Sequence, residues 1–283
     1  MRALLSVTVF LFFVSCLSAP SLLLASSISV LPAHPIQGEP IMVTVDATST
    51  VSSISFESKK LGVFAYRGRS SALYGFDLNK KPGTYTVSAR LADGSTLSKK
   101  IEVGERAKEQ VAFTIPAKLG GDTPASQATL ATTLSDENAG LLGLRTGTHA
   151  FWSSAFIYPT ARPYVTDAYG YSRATGATTV THKGADLRAP LGTPVMAINR
   201  GVVRLVRETR NYGKTVVVDH GLGLMSFYMH LSKISVNEGE LVQKGQAIAL
   251  SGQTGYAEQP HLHLTVRLND VSIDPVVFLS LFR

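Results

Sequence analysis

The sequence predicts a mainly β protein, with an N-terminal immunoglobulin-like β-sandwich and a C-terminal antiparallel β-sheet domain curled around an open groove. Three observations lead there. Apolar and polar residues alternate over short runs, as in Ile41-Met-Val-Thr-Val-Asp46 and Thr84-Tyr-Thr-Val-Ser-Ala-Arg90, which is the period of a half-buried strand. Turn signals recur at short intervals, helped by 24 glycines. Amphipathic helical periodicity of normal length is scarce. At 283 residues the chain is long enough for two domains, each with its own core.

Residues 1–27 read as an export signal. Arg2 precedes a long apolar run, Ala3 to Ala25, and Ala25-Ser26-Ser27 closes it with small residues suited to cleavage. The run is also long enough to stay as a membrane anchor. Cys16 follows Phe13-Val14-Ser15, which allows a third reading, lipidation, although leucine is usual where Phe13 stands. Cys16 is the only cysteine. A chain cut after Ser27 has none, which excludes a disulfide framework and a cysteine nucleophile.

Residues 28–104 carry the alternating runs, punctuated by Gly38-Glu-Pro40, Lys81-Pro-Gly83 and Asp93-Gly94. Short strands with such spacing suggest the sandwich. No catalytic constellation stands in it, so a spacer or docking module is expected. Residues 105–160 read as a connector, with one short helix between Ser126 and Leu144 broken by Gly140 and Gly143. Trp152, the only tryptophan, reads as an aromatic anchor packing the connector onto the next domain. The alternative is a segment lying across the groove.

Residues 161–283 are dense in short strands: Val195–Ile198, Gly201–Val206, Thr215–Val218, Met225–His230, Ala247–Leu250 and Leu262–Arg267, separated by glycine turns. This is the pattern of the antiparallel domain. Its histidines come in short motifs: His182-Lys-Gly-Ala-Asp186, Tyr228-Met-His230 and His261-Leu-His263. Residues two apart in a strand share a face. His261 and His263 therefore point one way and Leu262 and Leu264 the other, and Tyr228 is expected to share a face with His230. Gly184 and Ala189-Pro190 argue for a loop, not a helix, around His182 and Asp186. Histidine and aspartate at such spacings suit a zinc site, against the plainer reading of hydrogen-bonded structural histidines. His34, His149 and His220 read as structural or exposed. The net charge of +7 favours an acidic partner. A basic run with interleaved aromatics is missing, so nucleic acid is not expected.

His182-x-x-x-Asp186, Tyr228-x-His230-Leu231 and His261-x-His263 resemble the three signatures of the lysostaphin-type, or LytM-domain, zinc peptidases. Tyr169-Gly170, Gly192-Thr-Pro-Val195, Gly201-Val-Val203, Val218-Asp-His-Gly221, Val242-x-Lys-Gly245 and Ser251-Gly-x-Thr-Gly255 resemble that family's connecting turns, in order. The N-terminal β region resembles the accessory domain of some bacterial members more loosely. The resemblance implies a LytM-like fold with Zn2+ held by His182, Asp186 and His263. It implies that His230 and His261 are unligated catalytic histidines. A hydroxyl of Tyr169 or Tyr171 would aid the oxyanion. It further implies a monomeric endopeptidase acting on the peptide stems and cross-links of bacterial peptidoglycan, exported to the periplasm or cell envelope. The alternative is a non-catalytic LytM-type module that binds cell wall and regulates other wall hydrolases. A third expectation is a latent enzyme whose connector occupies the groove. One departure is Tyr256-Ala-Glu-Gln-Pro260, where many members have a Ser/Thr-Gly-Pro run.

Overall fold

The computed structural model describes residues 26–283, apart from residues 108, 113, 176 and 177. The apolar segment up to Ala25, with Cys16, lies outside the described residues. Among those described, no helix is long and apolar enough to cross a membrane.

Two four-stranded sheets form the N-terminal layer pair. One runs Ser27–Leu31, Pro40–Asp46, Arg69–Gly75, Val63–Tyr66 in spatial order, and the other Lys59–Lys60, Val51–Phe56, Gly83–Leu91, Thr96–Val103. Lettered along the chain, these are A-B-E-D against C′-C-F-G, the strand order of an immunoglobulin-like sandwich. Alternation explains its core. Ile41, Val43 and Val45 point inward from one sheet to meet Ile54, Phe56, Val87 and Ala89 of the other.

The first sheet also has a second buried face. Met42 and Leu73 turn outward and, with Phe64, join Trp152, Phe156, Phe278 and Phe282 in the larger core of the C-terminal half. Trp152 lies with its ring 5.2 Å from Phe64 and 5.5 Å from Phe156. It is thus an anchor between the sandwich and the second core, and it does not lie in the groove. Arg106 fastens the same junction, donating to the Gln37 and Tyr169 carbonyls and to Asp274.

The C-terminal half is one large antiparallel sheet. Its central path runs Val165–Asp167, Ala185–Arg188, His261–Leu268, Leu224–Ile234, Gly213–Gly221, Gly201–Thr209, Leu241–Val242. Its apolar face carries Leu187, Val216, Val218, Tyr228, Leu262, Leu264 and Val266 into the core. The hairpin Ser172–Thr175 and Thr178–Thr181 forms a small separate sheet, extended in parallel by Gln110–Ala112 from the connector.

The helix expected after Ser126 is present as α1, Pro124–Ala139, with Thr123 capping it and Pro124 in its first turn. It stops at Gly140. The connector is bound along much of its length. Lys118 donates to the Gln253 carbonyl, Arg210 to the Leu119 carbonyl and the Tyr256 hydroxyl to the Thr114 carbonyl.

Candidate metal centre

The strand His261–Leu268 sends His261, His263, Thr265 and Arg267 to the groove and Leu262, Leu264, Val266 and Leu268 to the core. Its neighbour is in register Asp186↔His263 and Arg188↔His261. Strand partners share a face, so Asp186 arrives beside His263. His182 comes from the short loop between Thr178–Thr181 and Ala185–Arg188. Gly184 in that loop is required by space. A Cβ there would run into the His263 ring and the Leu264 carbonyl.

His230 reaches the groove by a different route. Strict alternation would send it into the core with Tyr228, whose hydroxyl accepts from the Ile198 amide inside the core. Instead the pairing slips between Lys214↔Leu231 and Val216↔Tyr228, and His230 adopts φ +62°. This bulge in the strand turns His230 toward the groove, beside Met229. The shared face expected for Tyr228 and His230 is therefore corrected. A left-handed backbone at a non-glycine residue is strained, and such strain gathers at functional sites.

The four motif histidines and Asp186 meet at one point. His182 Nε2 lies 3.1 Å from Asp186 Oδ1 and 3.1 Å from His263 Nδ1, and His263 Nδ1 lies 2.7 Å from Asp186 Oδ1. His261 Nε2 is 3.7 Å from the same oxygen, and its ring centroid is 4.8 Å from that of His230. His182, Asp186 and His263 form the one group able to hold a metal ion among the described residues.

The outer hydrogen bonds determine which atoms face inward. His182 Nδ1 sits 2.7 Å from the Ala168 carbonyl, so that nitrogen carries the proton and Nε2 presents a lone pair. Thr265 donates its hydroxyl proton to the Lys183 carbonyl and must accept from His263 Nε2, 2.9 Å away. His263 Nδ1 therefore presents a lone pair too. With the carboxylate oxygen, three acceptors converge and repel one another unless a cation lies between them. A tetrahedral zinc with bonds of about 2.0–2.1 Å places its donors about 3.3 Å apart, close to this triangle. Imidazole outer nitrogens bonded to fixed acceptors are what a metal site needs to hold tautomer and ring. The residues fit zinc.

His230 Nδ1 faces the Thr254 carbonyl at 2.9 Å and His261 Nδ1 the Gln259 carbonyl at 2.8 Å. Each leaves Nε2 unprotonated. Burial, aided by the nearby His261 and His263, holds His230 well below the usual histidine range. Burial likewise brings His263 down to about 4. The arrangement is a buried carboxylate among four imidazoles, two of which, His230 and His261, turn Nε2 away from the carbonyls that hold Nδ1.

The site has a roof that the residue spacing did not reveal. Leu130, Leu134 and Asn138 of α1 close over a cavity of about 380 Å³ floored by His182, His230 and His263. Glu137 fixes the helix by accepting from the Asn211 and Tyr212 amides and the Thr209 hydroxyl. Arg267 donates to the Leu141 carbonyl and to Asn138. On the other side the groove is open past Asp186 and His261, walled by Tyr171, Arg173, Arg188 and Tyr256–Pro260. The divergent Tyr256–Pro260 segment is thus a wall of the groove, and its Glu258 side chain accepts from the connector's Thr114 amide. Tyr169 is no candidate donor, since its buried hydroxyl is spent on the Ser272 carbonyl. Tyr171 stays beside the site, its ring centroid 5.2 Å from that of His182.

His34 and His149 are exposed, away from the cluster. His220 is fully buried, with Nδ1 on the Arg200 carbonyl and Nε2 on Ser226, as a structural histidine should be.

Residues 180–275 match the model of Peptidase family M23. The peptidoglycan DD-endopeptidase ShyA of Vibrio cholerae is 48% identical over 82 residues, 29% of this chain and 19% of that protein. The chain therefore spans a small part of the curated relatives it matches. A solved peptidase M23 structure from Pseudomonas aeruginosa is 27% identical, with a TM-score of 0.60 over 88% of this chain and 96% of that one. The catalytic domain of lysostaphin from Staphylococcus simulans is 32% identical over 41% of this chain and 90% of its own, at a TM-score of 0.36. His182, Asp186, His230, His261 and His263 all lie inside the segment, residues 180–275, that matches Peptidase family M23.

Proposed function

We propose that this chain is a zinc-dependent endopeptidase that hydrolyses peptide cross-links of bacterial peptidoglycan. The observation that carries the reading is the set of three inward-facing acceptors on His182 Nε2, Asp186 Oδ1 and His263 Nδ1. His182, Asp186 and His263 would hold the zinc, which supplies a Lewis acid for water and for the scissile carbonyl. His230 and His261 each offer an unprotonated Nε2. One takes the proton of the attacking water and one returns a proton to the leaving amine. The bulge at His230 and the Thr254 carbonyl hold that imidazole in place for this role. The substrate is assigned by likeness to the wall endopeptidases, and the open side of the groove admits a branched peptide.

The enzyme works in the envelope, delivered by residues 1–27, and acts as a monomer. A second feature of this reading comes from the α1 roof. The connector restrains the enzyme by covering one side of the groove, with residues 110–144 as the restraining part, not the region of Trp152.

The test is metal content together with peptidoglycan digestion, on residues 28–283 purified without chelator. The expected result is one zinc per chain and new amino termini released from the wall. Zinc without cleavage would point to a latent enzyme or to the wrong wall chemistry. A folded chain that takes up no zinc would sink the peptidase reading.

A further inference from the structure

The two oxygens of Asp186 do different work. Oδ1 points at the two imidazoles, while Oδ2 accepts from Arg173 Nη2 at 2.6 Å. The Asp186 side chain is only 4% exposed, so this guanidinium, not water, settles how the carboxylate sits. Arg173 is itself held from two further directions. It donates from Nε and Nη2 to the Tyr171 hydroxyl at 3.0 and 2.9 Å, and from Nη2 to Asp167 Oδ2 at 3.0 Å. Asp167 stands opposite Asp186 in the sheet, so one arginine bridges two carboxylates on neighbouring strands. Its own strand is clasped between Thr178–Thr181 and the connector strand, with Arg173 opposite Val111.

We propose that Arg173 is a positioning residue for the metal centre: it ties down Asp186 Oδ2 so that Oδ1 alone is offered to the ion. This rests on the zinc reading of the triad. Two effects of Arg173 oppose each other. Its positive charge repels a divalent cation and weakens the carboxylate as a donor. Its hydrogen bond orients the carboxylate and keeps the second oxygen from swinging onto the metal. The repulsion is offset on the spot by Asp167, whereas nothing else among the described residues bonds Oδ2. Orientation therefore outweighs repulsion, and removing Arg173 should weaken binding by the 10- to 100-fold typical of such outer partners. Lysine cannot substitute, because the bridge uses a planar fork reaching Tyr171, Asp167 and Asp186 at once.

The experiment measures zinc affinity of the full chain by chelator competition, for wild type, Arg173→Gln, Arg173→Lys and Asp167→Asn. Circular dichroism and urea midpoints identify variants that are folded. Arg173→Gln should bind at least about 10-fold more weakly, Arg173→Lys nearly as weakly, and Asp167→Asn less than about 3-fold more weakly. Cobalt-loaded protein gives a second readout. Freed Asp186 can bind through both oxygens, so the visible absorption of Arg173→Gln should fall as coordination number rises. Folded Arg173→Gln with unchanged or tighter zinc binding and the wild-type cobalt spectrum would overturn the proposal. If the wild-type chain bound no zinc, the metal reading itself would fail, and this role with it.

Discussion

One sheet buries histidines on both faces, and the two sets are wired in opposite ways. On the core face, His220, Ser226 and Tyr228 form a ladder closed by the Arg200 carbonyl and the Ile198 amide, in which each polar atom meets a partner. On the groove face, His182, Asp186 and His263 bring three acceptors together. Burial is no guide to which is which: His220 is 0% exposed, His182 5% and Asp186 3%. What separates them is whether the buried donors and acceptors cancel. A satisfied ladder needs nothing more. Three lone pairs facing one another can be reconciled by a cation between them, and on that ground the second cluster is the candidate metal site.

The comparison breaks first at His230. It is buried like His220 and its proton is similarly spent on a carbonyl, but its other nitrogen faces the groove. His230→Ala should leave zinc bound and lower turnover by about 10²–10⁴-fold, the range of a lost general acid or base. His182→Ala should lose zinc and activity together. Both are read by metal analysis beside a peptide-release assay. Loss of zinc in His230→Ala would put His230 among the ligands and undo the division between the two pairs.

The second contrast is in stability, and it isolates the core ladder. Burial brings His220 down to about 4 from the ordinary 6.5. The unfolded chain therefore takes up a proton below pH 6.5 that the folded chain refuses until about pH 4. Stability due to this group is complete above pH 6.5 and is lost as pH falls across that window, by up to about 3 kcal/mol. His220→Gln removes the titration. Its urea stability should be lower at pH 7 but should decline less between pH 6.5 and 4 than that of wild type. Zinc affinity at pH 7 should not move. Parallel declines in the two proteins would mean that His220 is protonated in the fold.

Much of the site was legible in the residues, for a physical reason. His261 and His263 alternate with leucines, and alternation maps directly onto faces of a strand. The spacing His182–Asp186 with Gly184 announced a loop bending onto a strand, although the glycine serves closeness to His263, not a special φ. His230 reaches the groove, but not on a face shared with Tyr228, because a bulge reverses the face and leaves no mark in the alternation. Arg173 stands 13 residues before the Asp186 it holds, on another strand of another sheet, so no local pattern could join them. The α1 roof was hidden for the same reason. Its contacts with Asn211, Tyr212 and Arg267 are long-range, and the apolar residues it lowers over the cavity, Leu130 and Leu134, look like those of any short helix.

The smallest effect is expected at that roof, and it sharpens the comparison of the two faces. The core ladder is sealed by packing that cannot open without unfolding. The groove is covered by a helix held mainly through polar contacts, chief among them the Glu137 carboxylate on two amides and a hydroxyl. A hydrogen bond to a charged group is worth about 1.5–3 kcal/mol, so losing this cluster should favour the lifted helix without disturbing the sheet. If a lifted roof is the form that admits peptide, Glu137→Ala should raise the rate on peptidoglycan by roughly 3- to 30-fold, since 2 kcal/mol shifts a two-state balance by about 30-fold at most. Zinc should also pass to a chelator faster, a readout that needs no substrate. Glu137→Gln keeps the shape but not the charge and should fall between the two. Unchanged rates in both assays would mean that α1 is a fixed wall, and that peptide enters only by the open side past His261.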